Sequence, residues 1–258
     1  MLTVPDELRQ RLQQHGQEHV FRFWDRLDED ERRELLTQVQ GLDLDRLGQL
    51  YSRRDHSYRV PPAERIAPVP VIPLESPDNA RARQQGEEAL RQGQVAVLVV
   101  AGGQGSRLGF EHPKGMFPVG PVSNKTLFQV HAEKVLALGR RYGKQPPLLV
   151  MTSPATHAET ERFFQEHRCF GLPAEQVSFF RQGTMPALDL ATGKLLLEQP
   201  GRLFLSPDGH GGTLTALAGS GLLDQMRQRG IRHLFYGQVD NPLVKVADPL
   251  FLGHHLAH

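Results

Sequence analysis

Cysteine is nearly absent from this chain: Cys169 is the only one in 258 residues. No internal disulfide can form, and no zinc site can be built from cysteines alone. That points to a reducing compartment, and a cytoplasmic protein is the expectation. No run of about eighteen apolar residues occurs, so nothing reads as a membrane span. The opening stretch MLTVPDELRQRLQQHGQEHV is polar and lacks the apolar centre of a signal peptide. Charge of one sign is also missing in excess. Lys and Arg number 30 and Asp and Glu 29, for a formal net charge of +1. A nucleic-acid surface needs a surplus of Lys and Arg. Neither nucleic acid nor membrane is therefore expected as a partner. There is no internal repeat and no low-complexity tract. What is present is ordinary: 23% charged and 39% hydrophobic residues, in a chain long enough for one large domain with an appendage.

Up to about residue 55, Leu8 and Leu12, then Val20, Phe23, Trp24 and Leu27, then Leu35, Leu36 and Val39 recur at helical spacing. Asp28 and Glu31 form a capping-box pattern at the start of one such helix. Residues 60–77 carry six prolines, which no helix can run through. They predict an extended surface connector, after which Ser76 as N-cap and Pro77 at the first helical position open a helix. The expected division is a helical segment with connector over 1–75 and a second domain over 76–258.

From residue 95 strands alternate with helices. VAVLVV, PLLVMTS, VSFFRQG, RLFLSP and HLFYGQVD read as strands. KTLFQVHAEKVLALGRRYG, with Leu127, Val130, Val135 and Leu138 on one stripe, reads as a helix. So do SPATHAETERFFQEH, capped by Ser153, and GTLTALAGSGLLDQMRQRG. The fold class expected is α/β, a mostly parallel, Rossmann-like sheet covered on both faces, with ligands outside the carboxyl ends of the strands. The Gly-rich loop after the first strand, Ser206-Pro207 and Val239-Asp240-Asn241 all fall at such ends.

The Gly-rich loop is AGGQGSRLGFEHPKG. Four glycines fall within Gly102–Gly109, with Arg107 and Lys114 as cations. Glycine lets a ligand approach the backbone, and successive N–H groups in a turn bind anions. A P-loop needs Gly-Lys followed by Ser or Thr, and here Lys114 precedes Gly115. The dinucleotide fingerprint fails as well, because Leu108 stands where its third glycine belongs. That register disfavours an NAD-dependent oxidoreductase. Backbone donors, a forked cation and a point cation together suit a triphosphate, whose leaving pyrophosphate would be matched by fixed positive charge.

AGGQGSRLG with PKG resembles the signature of the UDP-sugar pyrophosphorylase family, the UTP:sugar-1-phosphate uridylyltransferases. Three further blocks follow in the family order: FFRQGTMPALD, LSPDGHGG and QVDNPLVKVADPLFLG. The resemblance is closest to the UDP-N-acetylglucosamine pyrophosphorylase branch and its bacterial relatives. It implies a nucleotide-diphospho-sugar transferase fold and uridylyl transfer from UTP to a sugar 1-phosphate, here N-acetylglucosamine 1-phosphate. It carries nucleotide binding over to Gly102, Gly103, Gln104, Gly105 and Ser106. Arg107 and Lys114 become the catalytic cations. Gln182 reads the uracil edge, Gly209 lies against base or ribose, and Asp240 holds a magnesium ion. Physically, that ion offsets the repulsion between two anions at the α-phosphorus, and no covalent intermediate is needed.

Two departures bear on this. His210 stands where the acetylhexosamine enzymes have an asparagine near the sugar's acetamido group, so His210 is the sugar-binding candidate and glucose or galactose 1-phosphate stays open. The family also continues beyond the point where this sequence stops, at FLGHHLAH, so the chain reads as truncated at its C-terminus. A non-catalytic nucleotide-binding module is the alternative of another class. The other signals carry no chemistry. His254 and His258 lack a third ligand, and His157, His167 and Cys169 match no metal spacing. Arg140-Arg141-Tyr142 and residues 53–56 read as solvated faces.

Overall fold

The computed structural model describes residues 2–56, 60–73 and 75–258. In chain order the elements are α1 (Asp6–Gln14), α2 (Glu29–Gln40), α3 (Leu44–Ser52), α4 (Asn79–Arg91), β1 (Val95–Val100), α5 (Leu127–Tyr142), β2 (Leu148–Thr152), α6 (His157–Glu166) and β3 (Val177–Arg181). They continue with β4 (Thr184–Pro186), β5 (Leu197–Gln199), β6 (Arg202–Leu203), β7 (Leu205–Pro207), α7 (Thr213–Gly219), α8 (Leu222–Gln228), β8 (His233–Gln238) and α9 (Pro249–Ala257). The chain separates into two units, Met1–Pro70 with Thr184–Pro207 and Val71–Gly183 with Asp208–His258.

The second unit is built on a four-stranded sheet, ordered β3-β2-β1-β8, with every neighbouring pair parallel. Residues 95–99 of β1 are each at most 3% exposed. Such a run is apolar on both sides because helices cover both faces. Val95, Val97 and Val99 face Leu127, Phe128, Val135 and Phe164, while Ala96 and Leu98 face Leu217, Leu222 and Met226. Each side chain buried this way contributes about 1.5–3 kcal/mol relative to exposure. The chain steps outward from β1 to β2 to β3, then returns on the other side of β1 as β8. That reversal is a topological switch point, and the crevice beyond the carboxyl ends of β1 and β8 is where ligands of such sheets bind.

In the first unit α1–α3 bury Leu12, Leu35 and Val39 together with Leu195 and Leu203. Asp28 and Glu31 form the full capping box expected of them: Glu31 N donates to Asp28 Oδ1 at 2.8 Å, and Asp28 N to Glu31 Oε2 at 3.0 Å. Residues 60–73 of the connector are almost entirely exposed, with one short 3₁₀ turn at Ala63–Arg65, while Leu74 lies outside the described residues.

The structure differs from the sequence reading at several points. Residues 184–207, expected in the second domain, join the first unit, because Leu195 and Leu203 complete the core of its helices. RLFLSP is accordingly not a strand of the parallel sheet. Its two halves, β6 and β7, pair antiparallel with β5 and β4, so Ser206-Pro207 does not sit at a carboxyl end of the sheet. The helix expected from Ser76 starts at Asn79, and the one expected from Ser153 starts at His157. In both, a serine or threonine side chain bonds the local backbone instead: Asp78 N donates to Ser76 Oγ at 3.4 Å, and Ser153 N to Thr156 Oγ1 at 3.0 Å. The long helix expected after Gly212 breaks at Gly221, whose φ of 77° lies in the left-handed region, giving α7 and α8. Tyr142 is not on a solvated face: it is buried, and burial pushes its hydroxyl pKa up. Arg53 to His56 are exposed as expected.

Candidate active site

All the sequence-derived site residues belong to the second unit. The Gly-rich loop leaves β1 and doubles back on itself. Gln104 and Pro113 form an isolated antiparallel bridge, and Gly105 N donates to His112 O at 2.9 Å. Gly109, with φ of 66°, turns the chain at the tip. The return strand brings Lys114 N to Gly103 O at 2.9 Å. This explains the spacing in AGGQGSRLGFEHPKG, since the residues between Gly103 and Lys114 make one closed excursion. No α-helix starts directly from this loop. The chain passes through two short 3₁₀ turns and begins α5 only at Leu127, so the loop is neither a P-loop nor a dinucleotide fingerprint in structure either.

Across the switch point, Lys114 Nζ lies 3.0 Å from Asp240 Oδ2. Val239 N, one residue before Asp240, donates to Val100 O at 3.1 Å, which holds the ends of β1 and β8 level. The lysine and aspartate side chains are 28% and 45% exposed, so the pair faces solvent, where a substrate could reach it. Gln182, just past β3, is buried, and its backbone N–H donates to Thr152 O at 2.8 Å. Its side chain lies over Gly102. A Cβ at residue 102 would stand 2.9 Å from Gln182 Oε1, so glycine there makes room for the glutamine head. Gly209 and His210 sit in the 3₁₀ turn ahead of α7, and His210 Nδ1 is hydrogen-bonded to the Tyr236 hydroxyl on β8.

The structure thus brings together Lys114 with Asp240, Gly103 with Lys114, and Gln182 with Gly102. It does not bring Arg107 to the ion pair. Gln104, Ser106 and Arg107 lie exposed on the outer part of the loop, and Gly209 has open space around its Cα.

Four residues escaped the sequence reading. Tyr236 is one, through its bond to His210. Asp208 is another: its carboxylate lies against Gly183 and Gly212, where any Cβ would collide with it, and its Oδ1 is buried without a hydrogen-bond partner among the described residues. The remaining two are His131 and Lys134 on α5. His131 is 2% exposed, and burial, followed by the nearby Lys134 charge, lowers its pKa. Burial likewise lowers the pKa of Lys134. A histidine on the apolar stripe between Phe128 and Val135 was the available signal, since buried histidines need partners.

Magnesium was expected at Asp240. Among the described residues no group of three or more His, Cys, Asp or Glu could hold a metal ion. A single exposed strand-end carboxylate nevertheless suits Mg²⁺, which is commonly bound by one or two carboxylates with substrate phosphates as its other ligands.

A parallel sheet whose switch point carries a glycine loop, a lysine and a strand-end aspartate defines an α/β fold of the nucleotidyltransferase type. Known proteins agree. Residues 50–258 match the family model described as UTP–glucose-1-phosphate uridylyltransferase, and the chain belongs to that family. It is 40% identical over 264 residues to UDP-N-acetylglucosamine diphosphorylase 2 of Arabidopsis thaliana, covering 96% of this chain and 52% of the relative. It is 38% identical over 259 residues to UDP-N-acetylglucosamine pyrophosphorylase of Saccharomyces cerevisiae, covering 94% and 54%. Among solved structures, the uridine diphosphate N-acetylglucosamine pyrophosphorylase of Trypanosoma brucei, in complex with an inhibitor, matches with a TM-score of 0.80 at 32% identity, over 100% of this chain and 56% of that one. The chain therefore spans about half the length of the relatives it matches. Among the described residues no helix is long and apolar enough to cross a membrane.

Proposed function

We propose that this chain carries a uridylyltransferase site that joins UTP to N-acetylglucosamine 1-phosphate, releasing pyrophosphate. The Lys114–Asp240 pair at 3.0 Å across the switch point carries the reading. A sugar-phosphate oxygen attacks the α-phosphorus of UTP in line. The new P–O bond forms as the bond to the β-phosphate oxygen breaks, and pyrophosphate leaves with the electron pair. The backbone of Gly102 to Ser106 receives the phosphates. Lys114 meets the negative charge that grows on the leaving group, and Arg107 serves phosphate from the outer loop. Gln182, fixed over Gly102, presents its amide to the uracil edge, with Gly209 against base or ribose. His210 faces the sugar. Asp240 would hold Mg²⁺, which when bound supplies charge neutralisation between the two phosphates. The relatives that match nearly all of this chain are named for N-acetylglucosamine or N-acetylhexosamine, which supports that sugar over glucose. The near absence of cysteine supports a cytoplasmic setting.

The test is UDP-sugar and pyrophosphate formation from UTP, MgCl₂ and each of the two sugar 1-phosphates. Turnover with N-acetylglucosamine 1-phosphate is expected, falling about 100- to 1,000-fold in Lys114→Ala and Asp240→Asn. A UTP-induced rise in melting temperature without any UDP-sugar would support the binding-module reading instead. No response to UTP at all would end both.

A further inference from the structure

Helix α5 touches the chain next to each member of the Lys114–Asp240 pair, through residues that the proposed reaction does not use. At its N-terminal end, Leu127 N donates to Phe117 O at 3.1 Å, and the Phe128 ring covers Gly115 so closely that no Cβ would fit there. Lys114 is the residue before Gly115. One turn further on, His131 Nε2 lies 2.9 Å from Val239 O, the carbonyl immediately before Asp240. Since that acceptor is a carbonyl, Nε2 carries the proton, and Nδ1 is left as a buried acceptor with no partner among the described residues. Lys134 Nζ donates to Pro242 O and, at 2.9 Å, to Val244 O. Three carbonyls that bracket Asp240 and Asn241 are thus held by two side chains from one rigid helix.

We propose that His131 and Lys134 are positioning residues: α5 acts as a ruler that sets the distance between the Lys114 ammonium and the Asp240 carboxylate. The backbone of residues 239–244 contains no strand or α-helix to hold it. Val239 N is tied to Val100 O on β1 at 3.1 Å, but beyond it the backbone amide bonds are short turns, Asn241 N to Gln238 O and Val244 N to Asn241 O, both at 3.3 Å. Such turns open easily unless side chains from a packed element grip them. A simpler role for His131, filling the core, would need neither its aimed Nε2 nor the second grip by Lys134. The inference rests on Asp240 and Lys114 being the groups that meet the metal and phosphates. Of its two readouts, amide exchange stands independently of that reading, while the Mg²⁺ response depends on it.

The experiment compares the chain with His131→Leu, His131→Gln and Lys134→Met. UTP affinity is measured with and without MgCl₂, and amide hydrogen exchange of residues 239–246 is followed in the free protein. In His131→Leu and Lys134→Met the strengthening of UTP binding by Mg²⁺ is expected to fall about tenfold, with metal-free affinity within about twofold of the parent. Exchange at Asn241 and Val244 is expected to rise about tenfold. His131→Gln, whose amide can donate to Val239 O, recovers most of both. Folded variants that keep the parent's Mg²⁺ response overturn the proposal, whether or not exchange rises. If His131→Leu fails to fold, Lys134→Met decides by the same readouts. If the parent chain binds no UTP, the uridylyl reading falls. Exchange then decides alone: a rise leaves the grip on residues 239–244 established, and unchanged exchange overturns it.

Discussion

Buried and half-buried polar side chains end in different places in the two units. In the first unit they end on backbone. Arg11 donates to Val39 O at 2.7 Å, Arg32 to Trp24 O at 3.1 Å and Gln17 to Gly193 O at 3.0 Å, while Gln38 accepts from Leu203 N at 2.8 Å. Arg11 ties α1 to α2, Arg32 ties α2 to the turn at Trp24, and Gln17 and Gln38 tie the N-terminal segment to residues 193 and 203. In the second unit polar side chains meet one another at the carboxyl ends of the strands: Lys114 with Asp240, His210 with Tyr236, and Thr152 with His157 at 2.8 Å. A group that satisfies a backbone carbonyl has finished its task. A pair of charged groups held near solvent, such as Lys114 and Asp240, is open to a ligand. His131 and Lys134 bond backbone too, as do Gln145 to Val135 O at 3.0 Å and Thr152 to Phe180 O at 3.2 Å, but the backbone that His131 and Lys134 bond flanks the candidate site.

The comparison breaks most visibly under a large core deletion. Leu35 is 0% exposed in the first unit, and Leu35→Ala is expected to cost about 2–5 kcal/mol. The chain's single tryptophan, Trp24, belongs to this unit, so its fluorescence reports the shift in denaturation midpoint. Where the variant is still folded, UTP affinity should stay within about twofold of the parent. A parallel loss of UTP binding would show that scaffold and site are not separable.

A smaller effect sharpens the second half of the comparison. In Gly102→Ala the new methyl meets Gln182 Oε1 at 2.9 Å and must displace the glutamine head. UTP affinity should drop about tenfold, or about 1.4 kcal/mol, read by calorimetry. Unchanged affinity would remove Gln182 from the base-recognition role.

The least effect concerns acidity. Burial lowers the pKa values of His131, His157 and His233 from their ordinary 6.5, and all three lie in the second unit. In the fold they take up protons only at lower pH than in the unfolded chain, which begins to do so near pH 6.5. The unfolded state therefore binds more protons between 6.5 and the lowered folded values, and stability falls as pH drops through that window. Hydrogen exchange of β1 and β2 amides should be faster at pH 5.5 than at pH 7.5, after correction for intrinsic rates. A flat profile would mean that these histidines are not buried as described.

Much of this was legible in the chain. The apolar run of β1, the Asp28–Glu31 box and the glycine loop are local patterns whose geometry follows from their own residues. The strand–helix alternation placed the Gly-rich loop and Val239-Asp240-Asn241 at strand ends, while Gln182 was singled out by the family resemblance. The starts of α4 and α6 were misplaced because Ser76 and Ser153 each read as an N-cap, while serine and threonine side chains bond nearby backbone outside the helix. Tyr236, Asp208, His131 and Lys134 were passed over because each acquires meaning from a partner at least 25 residues away or across a glycine-lined gap.

By itself, then, the sequence determined the class of sheet and the family, because periodicity, glycine spacing and block order are written along the chain. Only the tertiary structure decided that residues 184–207 belong with the N-terminal helices and that β8 returns beside β1. Only it decided that Asp240 stands 3.0 Å from Lys114 under the grip of α5. Those outcomes depend on which distant apolar surfaces bury each other and which carbonyls are left for side chains to satisfy, and neither is a property of any local stretch.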